Sequence, residues 1–375
     1  MKGTSMKILV TGGMGFVGSH LVDALVEQKH DVVSFDNLEH QVHQGKRPKY
    51  LNRRAHYIIG DVRNKNKLKE VVKNAEIVFH QAAMVGVGQS MYEISKYIHS
   101  NNYGTANLLE ILANEKHRVR KLIVASSMSI YGEGAYECNN CGKFYPKQRE
   151  LSVIELRDWG VYCPACNKEA KPIPTNEDKP LFPTSIYAYS KKEQEDLSLL
   201  IGKIYSIPTV ALRYFNIYGP RQSLSNPYTG VCAIFSSMIK NNHAPIVYED
   251  GQQSRDFINV KDIVSANIFV MNNPKADYQA FNVGTGRPIT ILEIASLLTR
   301  LYKKDFEPKV VDSYRKGDIR HCYADVSGLQ KLGFKPKVDF EIGMKELIGW
   351  ARFIKAKDKV DFADSQLIKK GLRVV

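Results

Sequence analysis

The sequence predicts an α/β fold: a doubly wound parallel sheet, a smaller C-terminal lobe, and one insertion. Two observations lead to this prediction. Through residue 218, short apolar runs alternate with segments of helical apolar spacing, a pattern typical of βαβ units and a parallel sheet. Between residues 133 and 172 the alternation stops, and the chain becomes polar and contains two Cys-x-x-Cys pairs. We therefore expect a large domain interrupted by a small separate module.

The predicted strands are short and mostly apolar, and helical segments lie between most of them. They span residues 7–10, 31–35, 55–59, 77–80, 121–125 and 208–212. The chain then divides into a sheet domain, an insertion, a smaller lobe and a tail of mixed charge that is uninformative. Their predicted bounds are 1–132 with 173–218, 133–172, 219–355 and 356–375.

The composition is that of a globular protein and excludes several other classes. Of 375 residues, 43% are hydrophobic and 25% charged, which argues against disorder, collagen and disulfide-dense miniproteins. No apolar run approaches the about 18 residues that a membrane-spanning helix needs. The first strand begins at once, without a secretory signal pattern. We therefore expect a cytoplasmic protein that has no membrane partner.

The chain is basic, with 53 Lys and Arg against 39 Asp and Glu and a formal net charge of +14. This excess suits an anionic partner such as a nucleotide, and a generic cationic surface explains it equally well. The basic residues are scattered, and those of the cysteine-containing stretch are partly balanced by acidic residues. We therefore expect no nucleic acid as a partner.

A glycine-rich turn follows the first strand. Gly13, Gly15 and Gly18 match the pattern G-x-G-x-x-G between a strand and a helix. In this pattern the first glycine makes the tight turn, the second admits a pyrophosphate, and the third allows the helix to pack closely. The helix N-terminus then supplies N–H donors to the phosphates. The turn predicts a dinucleotide site.

Residues that follow the next strands refine this site. Asp36 ends the second strand, where a carboxylate accepts hydrogen bonds from ribose hydroxyls and repels a 2′-phosphate, so it favours NAD over NADP. Asp61 and Val62 follow the third strand and are expected to face the adenine. His80 ends the fourth strand, and we interpret it as a hydrogen-bonded core residue rather than a base.

A tyrosine, a lysine and a serine complete the constellation. Tyr187 and Lys191 lie four residues apart and share one face of a predicted helix. A free tyrosine has a pKa of about 10, but a nearby ammonium and a cationic nicotinamide both favour the phenolate, so Tyr187 can serve as a base. Ser127 and Ser129 follow the fifth strand, at the sheet edge where doubly wound folds bind ligands.

Together these motifs resemble the extended short-chain dehydrogenase/reductase superfamily, and within it the nucleotide-sugar epimerase/dehydratase branch. The resemblance covers about residues 7 to 353. It rests on Thr11-Gly12-Gly13-x-Gly15-Phe16-x-Gly18, Asp61-Val62, His80-Gln81-Ala82-Ala83, Asn101-x-x-Gly104-Thr105, Ser126-Ser127-x-x-x-Tyr131-Gly132, Tyr187-x-x-x-Lys191 and Leu212-Arg213-Tyr214-Phe215-Asn216. It implies that the sheet domain binds NAD and that the lobe of residues 219–355 binds substrate.

The resemblance also implies a role for each matching position. The implied catalytic residues are Ser127, Tyr187 and Lys191. The implied contacts to NAD are Gly12, Gly15, Phe16, Val17, Gly18, Asp36, Asn37, Asp61, Val62, Gln81, Ala82, Ala83, Asn101, Tyr187, Lys191 and Tyr214. The implied contacts to a nucleotide-diphosphate sugar are Ser127, Ser129, Asn216, Arg255 and Arg315. Relatives commonly pair through helices that include the one carrying the tyrosine, so a homodimer is implied as well.

Within this branch, the residues after Ser127 favour 4-epimerisation. Dehydratases place Asp-Glu there and decarboxylating relatives keep a glutamate, whereas this chain has Met128 and Ser129, which can neither protonate a leaving hydroxyl nor take an α-proton. The implied reaction is a transient oxidation of C4 by NAD, with Tyr187 as base and Ser127 in the proton relay, followed by hydride return to the other face. The alternative is a reductase or dehydrogenase of a 4-keto nucleotide sugar. A second alternative is a non-catalytic NAD-binding scaffold.

The cysteines of the insertion have the spacing of a zinc ribbon. Cys138 and Cys141 are separated by 21 residues from Cys163 and Cys166. Four thiolates leave no open position, so the zinc would be structural; two disulfides are the alternative, which a cytoplasmic location disfavours. The ribbon is similar to a bacterial subgroup described as dTDP-L-rhamnose 4-epimerase-like, which is our reason to expect a dTDP-6-deoxyhexose. We expect the insertion to close over the hexose, shape its specificity or brace a subunit contact.

Overall fold

The computed structural model describes residues 5–374. Its strands, in chain order, are β1 (Lys7–Thr11), β2 (Asp31–Asp36), β3 (His56–Ile59), β4 (Ile77–His80), β5 (Lys121–Ser127), β6 (Ala135–Cys138), β7 (Gly142–Phe144), β8 (Lys171–Ile173), β9 (Thr209–Tyr214), β10 (Asn216–Tyr218), β11 (Ile246–Tyr248), β12 (Ser254–Asn259), β13 (Gln279–Val283), β14 (Pro288–Thr290), β15 (Lys309–Val311), β16 (Tyr314–Arg315), β17 (His321–Cys322) and β18 (Arg373–Val374).

The helices, also in chain order, are α1 (Phe16–Glu27), α2 (His40–His43), α3 (Lys65–Val72), α4 (Val87–Ser90), α5 (Ile94–Tyr97), α6 (Gly104–Asn114), α7 (Leu151–Glu155), α8 (Ile186–Ile204), α9 (Val231–Lys240), α10 (Val260–Met271), α11 (Ile291–Leu301), α12 (Ser327–Lys331), α13 (Phe340–Ala351) and α14 (Val360–Lys369). A π-helical segment joins α5 to α6 over Ile98–Tyr103.

Within residues 5–374, the largest sheet has seven parallel strands in the order β13-β9-β5-β4-β1-β2-β3. All six predicted strands belong to it, which confirms the predicted α/β, Rossmann-like class. The order reverses between β1 and β4, the place where doubly wound folds bind ligands beyond the carboxyl ends of their strands. The inner strands β4, β5 and β9 are buried throughout, because helices cover both faces of the sheet.

Helix spacing explains the layers on the two faces. In α1, Leu21, Val22 and Leu25 recur three and four residues apart and are fully buried against the sheet and α10. On the opposite face, α3 and α6 bury Leu68 and Leu108 in a second core. Burial of each such side chain stabilises the fold by about 1.5–3 kcal/mol.

The second half of the chain does not follow the predicted boundary at residue 219. β13 lies within the predicted lobe of residues 219–355, yet it pairs with β9 in the main sheet, with Phe281 opposite Leu212. α10 comes from the same range and packs on α1. The remaining elements, including α9, α11 and α13, surround a separate core that contains Ile294 and Leu347. The predicted lobe therefore contributes to two structural units.

The insertion forms a three-stranded antiparallel sheet in the order β7-β6-β8. These strands lie between Ala135 and Ile173, and the predicted bounds of the insertion are 133–172. The tail, which the sequence left uninterpreted, has regular structure: α14 is followed by β18, which pairs antiparallel with β16. In the described part of the chain, no helix combines the length and apolarity that a bilayer crossing requires.

Candidate active site

A cavity of about 630 Å³ opens at the carboxyl edge of the main sheet. Its wall includes every residue that we assigned to cofactor, catalysis or substrate, with the exception of Asn101. Residues that follow β1 and β4, together with residues of β5, α8 and β9, form one end. Residues of the second half of the chain, including Arg255 and Arg315, form the other. The structure therefore brings the predicted site together from both halves of the chain.

The glycine turn after β1 leaves room for a ligand. Gly12 has a left-handed φ of +69°, and a Cβ there would lie 2.8 Å from the Ala82 nitrogen. A Cβ on Gly18 would lie 2.1 Å from the Gly12 oxygen, so helix α1 can approach the turn only with glycine at that position. A Cβ on Gly15 would meet, among the described residues, only the Gly12 oxygen at 3.3 Å. Apart from that contact, a Cβ on Gly15 would occupy space on the cavity side of the turn.

One detail of the glycine prediction is wrong. We assigned the tight turn to Gly13, but the left-handed residue is Gly12. Gly13 is required for a different reason, because a Cβ there would lie 2.5 Å from the Ser34 hydroxyl oxygen. Gly15 is the N-cap of α1 and has no side chain to cap it. The backbone N–H groups of the first turn of α1, beginning with Phe16 and Val17, are therefore available to donate hydrogen bonds to an anion.

Two carboxylates stand at the ends of β2 and β3. The Asp36 carboxylate is buried and accepts hydrogen bonds from the backbone N–H of Met14 (3.0 Å) and of Leu38 (2.8 Å), which fix its direction. Asp61 accepts from Arg63 (2.6 and 2.8 Å) and from Asn37 (2.9 Å). Burial raises the pKa of Asp61, but these hydrogen bonds outweigh it and lower the pKa to about 2. Asp61 is therefore ionised at neutral pH and can accept from a ligand amine.

Ser127, Tyr187 and Lys191 meet between β5 and α8. Helix α8 begins after Ser185, whose hydroxyl accepts from the Ala188 N–H (3.1 Å) and sets the first turn that carries Tyr187. The Ser127 hydroxyl accepts from the Ser129 hydroxyl (2.9 Å). Burial raises the pKa of Tyr187, and a hydrogen bond with Ser127 partly opposes this. Burial lowers the pKa of Lys191 to about 7.

A buried chain of hydrogen bonds joins Lys191 to the glycine turn. The Lys191 ammonium donates to Gln194, and the Gln194 amide donates to the Thr105 hydroxyl (2.9 Å). The His80 ring bridges Thr105 (3.0 Å) and Thr11 (2.8 Å), the last residue of β1. Burial and the Lys191 charge lower the pKa of His80 to about 3, so the ring is neutral. His80 is thus the core residue that we expected.

Asn101 corrects one of our predicted contacts, because the structure places it behind the cavity wall. It is fully buried, accepts from the Met84 N–H (2.7 Å), and donates to the Met84 carbonyl (3.1 Å) and the Ser190 hydroxyl (2.9 Å). Its amide therefore fixes the segment after β4 to helix α8. Asn101 supports the cavity rather than contacting a ligand directly.

The far end of the cavity offers donors for an anion. The two terminal nitrogens of Arg255 donate to the carbonyls of Ser254, Ile319 and Arg320, which hold the guanidinium in place. Arg315 lies over the Tyr248 ring, 4.4 Å from its centroid, and its buried Nε has no hydrogen-bond partner among the described residues. The same holds for the side-chain oxygen of Asn216. These unpaired polar atoms fit a polar ligand.

Sequence reasoning missed the contribution of the tail to this cavity. Val360, Ala363 and Leu367 of α14 line it, and Leu367 contacts the position of Gly88 on the opposite wall. A signal was present, since residues 360, 363 and 367 have the spacing of one helix face. The charged residues around these positions conceal the apolar stripe in the sequence.

The four paired cysteines come together at one end of the insertion. Their sulfur atoms all lie within 4.8 Å of one another, and those of Cys138 and Cys166 are 3.5 Å apart. A tetrahedral site with zinc–sulfur bonds of about 2.3 Å requires sulfurs about 3.8 Å apart. Backbone N–H groups of Asn140 and Cys141 lower the pKa of the Cys138 thiol to about 7. The donor set therefore fits a zinc ion.

The expectation that the insertion closes over the hexose is not met in the part of the chain that the structure describes. The cavity wall contains no residue between 133 and 172. Instead, Arg149 reaches the second half of the chain, where its buried guanidinium pairs with Glu249 (2.7 Å) and donates to the Asp318 carbonyl (3.2 Å). Asp318 lines the cavity. The insertion thus contacts the cavity wall on the side that faces away from the cavity.

A seven-stranded Rossmann-like sheet, a glycine turn and a buried Ser-Tyr-Lys group at the carboxyl edge of the sheet define an NAD-binding protein of the extended short-chain dehydrogenase/reductase type. Comparison with known proteins names the family. The chain belongs to the NAD dependent epimerase/dehydratase family, whose model matches residues 8–149 and 162–284.

Relatives of this chain include several 4-epimerases. It is 33% identical over 349 residues to a dTDP-L-rhamnose 4-epimerase of Burkholderia thailandensis, covering 92% of this chain and 94% of the relative. The crystal structure of UDP-glucose 4-epimerase with UDP-glucose from Thermotoga maritima matches with a TM-score of 0.75 and 30% identity, over 92% and 99% of the two chains. A UDP-glucuronic acid 4-epimerase from Bacillus cereus, in complex with UDP-glucuronic acid and NAD, matches with a TM-score of 0.76 and 26% identity, over 92% and 99%.

Proposed function

We propose that this protein is an NAD-dependent nucleotide-sugar 4-epimerase. One observation carries the proposal: Ser127, Tyr187 and Lys191 share a cavity with anion-binding groups, while Met128 and Ser129 occupy the positions where elimination would need carboxylates. The names of the relatives, which are 4-epimerases, support the same reaction. The protein is then an isomerase.

Bound NAD would supply a hydride acceptor that returns the hydride within the same turnover. Gly12, Gly15 and the start of α1 would hold its pyrophosphate, and Asp36 would hold its adenosine ribose.

Tyr187 would take the proton of the C4 hydroxyl, and Ser127 would form a hydrogen-bond bridge between the Tyr187 oxygen and the C4 oxygen. Because the surrounding protein raises the pKa of Tyr187, the phenolate depends on added positive charge. Lys191 provides part of it, and a bound nicotinamide cation would provide the rest.

The second half of the chain would anchor the substrate through its diphosphate. Arg255 and Arg315 supply charged donors and Asn216 a polar partner. A substrate held at its diphosphate can rotate its sugar, and that rotation would present both faces of C4 to the cofactor. We assign substrate binding to residues 219–355, apart from β13 and α10, which complete the cofactor domain.

For the sugar nucleotide we propose a dTDP-6-deoxyhexose. Its support is the name of the relative from Burkholderia thailandensis and the cysteine-containing insertion. A panel of UDP-, dTDP- and GDP-linked hexoses would test the base and the sugar separately.

The decisive experiment measures turnover without added cofactor. We expect the purified protein to carry NAD and to convert a sugar nucleotide and its C4 epimer to the same equilibrium mixture from either side. A reductase or dehydrogenase would instead consume external NADH or NAD stoichiometrically. A scaffold would bind NAD and convert nothing.

We also propose that the cysteine cluster holds a structural zinc as a zinc ribbon. The sulfur separations support this, and the residues around Arg149 suggest the purpose. The ion pair of Arg149 with Glu249 and its bond to the Asp318 carbonyl connect the insertion to the segment that carries Arg315. A rigid insertion would therefore fix the diphosphate end of the cavity, while its absence would leave that segment free to shift.

Finally, we propose a homodimer formed through α8 and the adjacent segment that contains α5 and the π-helical residues. Leu200 and Ile204 of α8 are 53% and 63% exposed, and Ile94 of α5 and Tyr103 of the π-helical segment are half exposed. Large apolar side chains grouped on a surface mark interaction sites. The family resemblance supports a pairing of these helices between two subunits.

A further inference from the structure

The C-terminal segment brings a second arginine beside Arg315. β18 pairs with β16 so that Arg373 stands directly opposite Arg315. Both guanidinium groups lie over the ring of Tyr248, with centroid distances of 4.4 Å for Arg315 and 5.0 Å for Arg373. Like charges at this separation repel unless a carboxylate is present. The structure supplies one, Asp364 of α14.

Asp364 is shared unequally between the two arginines. Its carboxylate accepts from Arg373 at 2.9 Å and from the Tyr248 hydroxyl at 2.6 and 2.7 Å. The nearest nitrogen of Arg315 is 4.0 Å away. Arg373 and Asp364 are also better buried, with side chains 12% and 8% exposed, whereas Arg315 is 34% exposed. Asp364 is therefore neutralised by Arg373, and the Arg315 guanidinium keeps its donors for the cavity.

We propose that Arg373 is a positioning residue for substrate binding: by occupying Asp364, it keeps Arg315 available to the diphosphate of the sugar nucleotide. This inference rests on the proposed function, since it takes Arg315 as a diphosphate donor. It assigns a role to the tail, whose helix α14 also lines the cavity through Val360 and Leu367.

The proposal predicts an effect of a particular sign. Without Arg373, Asp364 keeps its charge in a largely buried place, and a buried carboxylate without a partner is costly. Arg315 is the cation nearest to it in the described structure, so Arg315 would turn from the cavity to pair with Asp364. Removing the carboxylate as well should release Arg315 again. A role of Arg373 in folding alone would not produce this recovery.

The test measures nucleoside diphosphate binding by calorimetry on the full-length protein as purified with its cofactor. UDP, dTDP and GDP are the probes, and the one that binds most tightly is used for all variants. We expect Arg373→Gln to weaken binding about tenfold, the loss typical of one charge-assisted contact. Arg373→Lys, which keeps the charge, should stay within about threefold of the parent, and so should the double variant Asp364→Asn/Arg373→Gln. Lys369→Gln, an exposed loss of the same charge on α14, is the matched control and should change nothing.

The outcomes separate this inference from the proposed function. If the parent protein binds none of UDP, dTDP and GDP, the proposed function fails. If the parent binds but Arg373→Gln binds equally well, Arg373 has no part in positioning Arg315. If the double variant binds as weakly as Arg373→Gln, the residue acts through local folding and the inference is likewise overturned. Melting temperatures of all variants identify any that do not fold, and Arg373→Lys then decides whether the charge matters.

Discussion

At Tyr187, two influences act on the phenol in opposite directions. Burial raises its pKa and the hydrogen bond with Ser127 lowers it, with a net increase. Lys191 is itself buried, and its pKa falls to about 7, so near neutrality it is only partly charged. The protein alone thus keeps Tyr187 protonated. Coupling of its ionisation to cofactor binding would prevent the base from forming before the hydride acceptor is present.

Replacing Tyr187 by phenylalanine tests this residue as the base. We expect Tyr187→Phe to lower the epimerisation rate by about 10²–10⁴-fold, the usual contribution of a general base, and to retain NAD because the glycine turn is untouched. Tyr189→Phe is the matched control, since that side chain lies on the same helix but is 53% exposed. Turnover by Tyr187→Phe equal to the parent rate would exclude the proposed chemistry.

His80 predicts a dependence of stability on pH. Its folded pKa of about 3 lies below its unfolded value near 6.5, so between these values the unfolded chain binds a proton that the folded chain does not. The stability is therefore full above pH 6.5 and falls as the pH decreases, by about 1.4 kcal/mol per pH unit for one histidine. His321, with a pKa of about 3, adds a second such contribution.

The variant His80→Asn should show a shallower decrease. Between pH 6.5 and 5 we expect it to lose about 2 kcal/mol less than the parent protein, measured as the free energy of unfolding in urea. Its stability at pH 7 should be lower, because the bonds to Thr11 and Thr105 are lost. His99→Gln, at an exposed position, should keep the parent slope. An unchanged slope in His80→Asn would mean that His80 is not buried as described.

At the scale of elements, the insertion acts as a brace. Its contact with the cavity wall is the bond from Arg149 to the carbonyl of Asp318 (3.2 Å). Beside it, Arg149 pairs with the buried carboxylate of Glu249, to which Arg320 adds a second cation at 3.0 Å. These charges join the insertion to the loop between β16 and β17. The energetic value of such a network lies more in fixing geometry than in net stability.

Removal of the cysteine ligands tests this brace. We expect Cys138→Ser/Cys163→Ser to lose bound zinc, to melt at a lower temperature and to bind UDP or dTDP more weakly, because the loop that follows Arg315 is released. Asn139→Ser, between the first two cysteines and exposed, serves as the control. Metal analysis, melting temperature and calorimetry give three separate readouts. A variant without metal that retains the parent melting temperature and affinity would rule out the structural zinc.

Much of the sheet could be predicted, and the reason is physical. Buried parallel strands are continuous apolar runs, and residues 77–80 and 121–125 could be recognised from composition alone. β13 could not, because Gln279 and Asn282 interrupt its apolar pattern. Asn282 is polar for a structural reason: it joins Tyr131 and the backbone at Thr175 through buried hydrogen bonds. A strand that carries such a connecting residue resembles a loop in sequence.

The residues of the site likewise divide into those that could be predicted from the sequence and those that could not. Residues within short motifs, such as Tyr187 and Lys191, could be identified from spacing. Arg373 and Asp364 could not, because they act through a strand pairing with Arg315 that no local pattern reports. Asn101 was found by its motif, but its indirect position required coordinates.

At the scale of the whole molecule, the exposed apolar face of α8 predicts self-association. We expect the parent protein to sediment as a dimer and Leu200→Glu/Ile204→Glu to sediment as a monomer, since two carboxylates at a paired apolar surface are costly to bury. Phe353→Glu is the control, because Phe353 is 88% exposed and lies two residues beyond the end of α13, outside the proposed surface. Dissociation by the control, or a monomeric parent, would contradict the proposed dimer.

The seventh strand of the main sheet has a consequence for biosynthesis. A nascent chain that has left the ribosome only as far as residue 278 already contains β1 to β9, yet the outer edge of β9 still has no neighbour. An open, apolar strand edge invites pairing with other chains. We therefore expect translation intermediates of this length to be the species that chaperones must shield, and release from shielding to coincide with the emergence of Gln279–Val283.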